Sequence, residues 1–582
     1  MRKESKVEKE SKVEKESKVE KAKRESRLLR GSIAETLASA APSFGANDAQ
    51  LLKFHGIYQQ VDRDARGAPA GLDAGSDRWF MVRVKIPGGA LGASQYLDLD
   101  ELANRYAYNR SLRITSRQGL QLHGVVKQRL TETIREINET LLSTLAACGD
   151  VERNVMAPPA LGGGIGQEIA RDLAARIARA LCPATGAYHE IWLDGERVSA
   201  SEDEPVYGDR YLPRKFKTAV ALPEDNSVEV HSQDIGLIAL VDDGSLLGAN
   251  VLVGGGLGLT HRKADTFARL GTPLCRVGSD DVVDIVRVIA EIFRDHGNRA
   301  DRRHARLKYL IEDWGMDRFR REVRERAGFE LLPWRELPPL RAPDHLGSHA
   351  QADGRCTYGV PVANGRIIDG EKVRLKTALR KIVEAFAPEI ILTPRQDLVF
   401  KGLTPAQVEK IEATLAAFGV DLPGALSGAR RFALACPALP TCGLALSEAE
   451  RAMPEVLEEI EALLRDLDLD DAPISVRMTG CPNGCARPYT SDIGFVGRRP
   501  GVYDIFVGGT LRGDRLADRY AQEVPVSELV STLTPLLNEW RRERREGEFL
   551  GDFYRRRHGR GEERTILTGA EPPVLAGAVT CA

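Results

Sequence analysis

Thr115-Ser116-Arg117-Gln118-Gly119-Leu120, with Gly124 after it, returns as Thr393-Pro394-Arg395-Gln396-Asp397-Leu398, with Gly402 after it. The offset between the copies is constant, and their surroundings repeat too. Ahead of the first copy lie an alternating run, Phe80–Ile86, stopped by Pro87-Gly88-Gly89, and a helical pattern from Leu97 to Tyr108. Leu112–Thr115 and Leu120–Val125 read as strands on either side of the turn. The second copy has its helical pattern at Leu375–Phe386, again with a strand before it. A repeated β-α-β-β unit predicts an internal duplication, two halves paired about a pseudo-twofold, and a ligand at their junction.

The chain has 582 residues, beyond the roughly 250–300 that one core supports, so several domains are expected. The two copies divide it: residues 80–149 and 344–422 form one discontinuous domain. Residues 150–343 form a first α/β domain and residues 423–570 a second, with 571–582 a loose tail. An arm, residues 31–79, carries Phe54-His55-Gly56-Ile57-Tyr58-Gln59-Gln60. Residues 1–30 open with Lys-Glu-Ser-Lys-Val-Glu three times over, Lys3 to Glu20. No apolar stretch follows these charges, as a signal peptide requires, and the segment is too acidic for a transit peptide. A six-residue period does not bring Val7, Val13 and Val19 onto one helical face, so this segment is expected to be a solvated, disordered tail.

A net charge of −2 gives no global field for nucleic acid or a membrane surface, and neither is expected as a partner. No apolar run reaches the ~20 residues of a membrane span. A cytoplasmic, reducing setting is expected, where grouped cysteines point to metal or redox chemistry rather than disulfides.

Four of the nine cysteines are grouped, as Cys436-Pro437-Ala438-Leu439-Pro440-Thr441-Cys442 and Cys481-Pro482-Asn483-Gly484-Cys485. Four thiolates suit a cubane cluster, one per iron, and soft sulfur donors suit iron–sulfur or zinc sites. Zinc knuckles favour tighter spacing, commonly two residues between ligands. Five and three intervening residues fit a larger object than a single ion. The alternatives are a zinc ribbon and four buried cysteines that never meet.

Cations recur at strand spacing. Arg83 and Lys85 share a face, as do Lys215 and Lys217, and so do Gln121 and His123. Polar pairs on three strands of a chain without net positive charge predict a buried anion site, whereas any one pair alone reads as a solvated strand face. Arg113, Arg117, Arg153 and Arg214, with the run Arg299, Arg302, Arg303, Arg306 and Lys308, suggest a polycarboxylate cofactor as well, because guanidinium forks bind carboxylates bidentately. The triple glycine Gly254–Gly256 could bring backbone N–H groups to an anion or a macrocycle edge, and it is not a dinucleotide fingerprint.

The motifs Arg83–Gly89, Arg113–Gly124, Arg153-Asn154-Val155, Tyr211–Thr218, Leu252–Gly256, Cys436–Cys442 and Thr479–Cys485 occur in an order that resembles the siroheme sulfite/nitrite reductase family, from about Leu29 to Phe553. The resemblance implies an α+β, three-domain, pseudo-twofold fold built on duplicated ferredoxin-like half-domains. It implies a [4Fe–4S] cluster on Cys436, Cys442, Cys481 and Cys485, with Cys485 also an axial ligand of the siroheme iron. It implies that Arg83, Arg153, Lys215 and Lys217 surround bound sulfite. Arg113, Arg117, Gln121, His123, Arg214, Arg306 and Asn483 then stand near siroheme or its carboxylates. Arg306 departs from a family lysine, replacing a point charge with a planar fork.

The implied activity is six-electron reduction of sulfite to sulfide, as the hemoprotein of an assimilatory enzyme. A siroheme nitrite reductase making ammonia is the alternative; Lys217 and the spacing of the first cysteine pair favour sulfite. A zinc-held scaffold protein is the reading from another class. No motif for flavin or NADPH is evident, so electrons are expected from a flavoprotein subunit or from ferredoxin, with the arm before Phe80 a candidate docking element.

Overall fold

The computed structural model describes residues 16–64, 78–159, 164–188, 192–193, 196–197, 203–559 and 566–568. The duplication takes the form of two five-stranded antiparallel sheets. One is ordered Ile57–Val61, Arg78–Val84, Leu120–Val125, Leu112–Ile114 and Arg366–Ile367; the other Gly347–Ala350, Cys356–Val360, Leu398–Leu403, Glu389–Leu392 and Ala90–Leu91. Each sheet thus takes its last strand from the other copy: Arg366–Ile367 pairs with Leu112–Ile114, and Ala90–Leu91 with Glu389–Leu392.

The repeated turn explains why the copies interlock. Gln118 and Gln396 both sit at positive φ, 55° and 72°, which turns their side chains back across the junction. The Gln118 amide donates to the Leu392 carbonyl at 2.9 Å, and the Gln396 amide donates to the Ile114 carbonyl at 3.2 Å. These carbonyls end equivalent strands of opposite copies. The helices Ala93–Tyr106 and Leu375–Phe386 cover the sheets with one apolar stripe each. In the second helix this stripe is Leu375, Ala378, Leu379, Ile382 and Val383, at three- and four-residue steps. The two halves share a single core.

The two α/β lobes repeat each other as well, which no shared motif announced. In the first, Thr218–Ala221 runs parallel to Ile235–Asp242, and Ser245–Val253 and Thr272–Gly278 follow antiparallel. In the second, Val476–Thr479 runs parallel to Ile493–Arg499, and Val502–Val507 and Asp518–Pro525 follow antiparallel. Between the parallel strands each lobe places one short turn, Val230–Ser232 and Pro488–Thr490. Each turn is entered through a left-handed residue, Glu229 at φ 51° and Arg487 at φ 58°. Leu434–Ala435 extends the second sheet in parallel beside Val476–Thr479.

Two expectations are corrected. The charged tail is not solvated throughout: Lys18–Arg24 is a helix, its N-terminus capped by the Ser17 hydroxyl, which accepts from the Glu20 amide at 3.4 Å. Glu20 and Lys23 are each only 1% exposed. Lys23 donates to the Leu212 carbonyl at 2.7 Å, pairs with Glu20 and lies 3.7 Å from Asp150, while Glu20 pairs with Arg299. The segment folds because buried charges distant in sequence await it, and composition carries no trace of them. Residues 1–15, with the first two repeats, and the tail 571–582 lie outside the described residues. The arm, in turn, is not separate from the duplicated domain. Its strand Ile57–Val61 pairs with Arg78–Val84, and Phe44, Leu52 and Ile57 join the duplicated domain's core.

Candidate functional site

The cysteine loops leave neighbouring parallel strands. Because Ala435 lies beside Met478, Cys436 follows one strand while Gly480 and Cys481 follow the other. The Cys436 amide donates to the Met478 carbonyl at 3.2 Å, and the Gly480 amide donates to the Cys436 sulfur at 3.3 Å. A side chain at Gly480 would meet the Ser447 carbonyl at 2.5 Å and Ala438 Cβ at 2.6 Å, so only glycine lets the loops close. The Asn483 amide donates to the Cys481 sulfur at 3.5 Å. Among the described residues, no group of three or more His, Cys, Asp or Glu side chains converges as a single-ion site.

The four thiols act on one another. Burial and then Cys485, Cys481 and Cys442 push Cys436 well above the ordinary thiol value. Cys481 is pushed up to about 12 by burial and then Cys485. Three thiols raised by burial and by their neighbours, with the Cys485 sulfur beside them, form a donor set that multiple iron centres would satisfy, since metal binding removes the thiol protons. The residues therefore fit a cluster.

Beside this group a cavity opens between the lobes. Arg117, Lys215, Lys217, Arg306, Asn483 and Cys485 line it. Cys485 is exposed to the cavity, and its charge is felt by Lys215 and Lys217 on one side and by the other three cysteines on the other. Lys215 is pushed down to about 7 by burial first, then by Arg306 and Arg214. Lys217 is driven well below the ordinary lysine value by burial, with Lys215 next. Among the described residues no carboxylate or hydrogen-bond acceptor pairs with either amino group, so any proton they take up faces the cavity uncompensated.

Arg117 is partly satisfied. It donates to the Gln233 amide oxygen at 2.7 Å and to the Asn154 and Thr218 carbonyls at 2.5 and 3.1 Å, while its buried Nε has no partner. Burial brings its pKa to about 10. Arg306 forks onto Asp234 at 3.1 and 2.7 Å. Lys308 donates to the Gly256, Gly258 and Phe267 carbonyls, shaping the glycine loop instead of facing the cavity. Gly255 can carry no side chain, since a Cβ would lie 2.2 Å from the His231 carbonyl. An orphaned guanidinium nitrogen, two unpaired lysine amino groups ready to take up protons and a side-chain-free loop suit a flat polyanion.

The other expected residues form a second group nearby. Register aligns Arg83, Gln121 and Arg113 across three adjacent strands. The Gln121 carbonyl, in the amide orientation that its neighbours favour, accepts from Arg83 at 2.6 and 3.1 Å. His123, beside Gln121, is held neutral by burial and then by Arg366, Arg113 and Arg83. Arg113 pairs with Glu450 at 3.0 Å and donates to the Ala435 carbonyl at 3.0 Å, bracing the strand that leads into Cys436. Arg83 reaches the Cys148 sulfur at 2.9 Å and lies over the Tyr58 ring, and Arg153 donates to the Gly149 carbonyl at 2.8 Å. Arg214 lies 3.8 Å from Asp150.

Lys85 turns away, donating to the Ala178 carbonyl at 3.4 Å. Arg299 and Arg302 serve Glu20 and Asp150, and Arg303 pairs with Asp301 at the surface, so only Arg306 of that run reaches the cavity. Sequence reasoning missed Arg487 and Gln233 in the cavity wall, and Tyr58 and Cys148 between Arg83 and Arg153.

The fold has known counterparts. Residues 174–331 and 429–559 match the nitrite and sulphite reductase 4Fe-4S domain, and residues 74–140 and 349–418 match the nitrite/sulfite reductase ferredoxin-like half domain. The chain is 44% identical over 537 residues, 91% of its length and 93% of the relative's, to the sulfite reductase [NADPH] hemoprotein beta-component of Staphylococcus haemolyticus. It is 44% identical over 552 residues, 91% of its length and 88% of the relative's, to the sulfite reductase [ferredoxin] of Synechococcus elongatus. The solved structure of the Mycobacterium tuberculosis NirA protein superposes with a TM-score of 0.74 at 26% identity, covering 92% of this chain and 95% of that one. No helix among the described residues is long and apolar enough to cross a membrane. Duplicated half-domains, paired α/β lobes, grouped cysteines and relatives matched almost end to end make this chain a member of the nitrite and sulphite reductase family.

Proposed function

We propose that this chain is the hemoprotein of an assimilatory sulfite reductase, taking sulfite to sulfide with six electrons. The observation that carries the reading is the position of Cys485, within reach of both the other three cysteines and the two uncompensated lysines. The cofactors are siroheme and a [4Fe–4S] cluster. Cys436, Cys442, Cys481 and Cys485 hold the cluster, and Arg117, Arg214, Arg306 and Asn483, with Arg113, Gln121 and His123 behind them, hold siroheme or support its carboxylates. When bound, siroheme and the cluster would supply the electrons for the reduction, with Cys485 held where the other three cysteines meet the cavity.

Lys215, Lys217, Arg83 and Arg153 neutralise the oxyanion and polarise its S–O bonds as they break. Protons must arrive at the departing oxygens, three of which leave as water. Lys215, at about 7, is matched to that task at neutral pH, and Lys217 shares it. The arginines cannot serve, since a guanidinium stays protonated. Sulfite is favoured over nitrite because a second ammonium at Lys217 suits a doubly charged oxyanion.

Electrons come from a flavoprotein subunit or ferredoxin, and the setting is the reducing cytoplasm. Purified protein reconstituted with siroheme should show Soret and red absorption bands and release sulfide from sulfite when given a reductase flavoprotein or ferredoxin. A colourless protein that binds zinc and turns over no sulfite would overturn the reading.

A further inference from the structure

The cysteine loop with the longer spacing is held from outside its own domain. Arg63, just past the strand Ile57–Val61, lies beside Cys442, far away in the sequence. Its amide donates to the Pro440 carbonyl at 3.3 Å, and its guanidinium donates to the Cys442 carbonyl at 3.2 Å and the Ala445 carbonyl at 2.5 Å. Asp64 secures the same crossing, pairing with Arg451 at 2.6 and 3.2 Å; that arginine's hydrogen bonds and charge hold the Asp64 carboxyl below its ordinary value. Between the clamped carbonyls the loop is otherwise held only by its own backbone, the Ala445 amide donating to the Cys442 carbonyl at 3.1 Å, while Gly443 faces open space and Leu444 is 67% exposed.

We propose that Arg63 is a positioning residue for the iron–sulfur cluster, clamping the Cys436–Cys442 loop and making the cluster easier to reduce. This rests on Cys442 being a cluster ligand, as proposed above. Reduction adds one negative charge to the cluster. A fixed guanidinium at its rim stabilises that state more than the oxidised one, which raises the reduction potential. Groups outside the ligand set act on clusters by this route, through charge, hydrogen bonding and solvent access. The clamp also holds the loop where its exposed end would otherwise admit water. Arg63 touches neither substrate nor sulfur chemistry directly.

The test is a redox titration of the cluster by electron paramagnetic resonance in the full chain carrying both cofactors, with iron and sulfide content measured alongside. Arg63→Gln should keep four irons per chain and shift the midpoint to a more negative potential. Arg63→Lys keeps the charge and should return most of the shift. An iron-replete R63Q protein with the parental midpoint would overturn the proposal. If R63Q loses iron, R63K decides: full iron and a near-parental midpoint support the charge role, and iron loss or an equal shift refutes it. Cys442→Ser is measured in parallel. Serine could itself ligate iron, so the deciding control is Cys442→Ala, where undiminished four-iron content would remove the ligand assignment itself, independently of Arg63.

Discussion

Glu229 and Arg487 hold the same place in the two α/β lobes, each the left-handed residue that enters a short turn, and they pair with each other at 2.9 Å. Around them the duplications meet. Arg487 donates to the Ser116 carbonyl at 3.2 Å and the Pro394 carbonyl at 3.1 Å, equivalent positions of the two repeated turns. Glu229 also takes Arg477 at 2.7 Å, and though burial alone would raise its carboxyl, the two guanidiniums hold it low. One buried carboxylate therefore compensates two buried cations. Glu229→Gln should cost about 3–5 kcal/mol, the penalty for stranding a buried charge. Thermal unfolding would register this, and cofactor content should fall with it because Arg487 lines the cavity; an unchanged melting temperature would show that the pair is not structural.

The half-domain duplication was legible because its turn must repeat a chemistry: the same glutamine in each copy bonds the strand end of the other, so the motif survives. The grouping of the cysteines showed in their spacing, and the Lys215–Lys217 pair stood out only through its recurrence beside the other strand-borne polar pairs. The lobe duplication was not, because it lives in backbone conformation, and its equivalent residues, Glu229 and Arg487, carry opposite charges. Counting cations overstated the site. Arg299, Arg302 and Arg303 face carboxylates that lie far away in sequence or at the surface, and nothing in the run Arg299–Lys308 distinguishes Arg306 from them. Cys148 and Tyr58 were invisible for the same reason, each being ordinary until the strand register brings them to Arg83.

The Lys217 side chain has no hydrogen-bond or ion-pair partner among the described residues, so its removal should not damage the fold. Lys217→Met should retain siroheme and cluster absorbance at parental levels and slow sulfite turnover by about 10²–10⁴-fold, the range for losing a general acid. Steady-state assays at saturating electron donor check this. Parental turnover would take Lys217 out of the chemistry.

Lys215 sets a pH dependence whose sign is fixed by its lowered value of about 7. Above that value the free site holds an amine, below it an ammonium, and an anion selects the ammonium. Binding should therefore take up a proton and weaken as pH rises through about 7. The same shift means that the unliganded fold loses stability as pH falls from the ordinary lysine range towards 7, where the unfolded chain accepts a proton that the fold refuses. Lys215→Arg stays charged and should flatten the binding profile relative to the parent. Sulfite titrations followed by siroheme absorbance decide it, and since the ligand's own ionisation affects both proteins, only the difference counts. Coincident profiles would clear Lys215.

Lys23 links the N-terminal helix to the wall of the site. Asp150 holds Arg302 at 2.8 and 3.0 Å, Lys23 at 3.7 Å and Arg214 at 3.8 Å, and its carboxyl is kept low against burial by Arg302 and Lys23. Lys23→Met leaves both of its anions a second cation, Arg299 for Glu20 and Arg302 for Asp150. The cost should then be about 1.5–3 kcal/mol, that of a hydrogen bond to a charged group, and not that of a stranded ion. The vacated side of Asp150 draws Arg214 inward, away from the cavity it flanks. Lys23→Met should accordingly lower siroheme occupancy relative to iron in the cluster while melting only slightly earlier. Melting with an undiminished siroheme ratio would leave the helix a brace and nothing more.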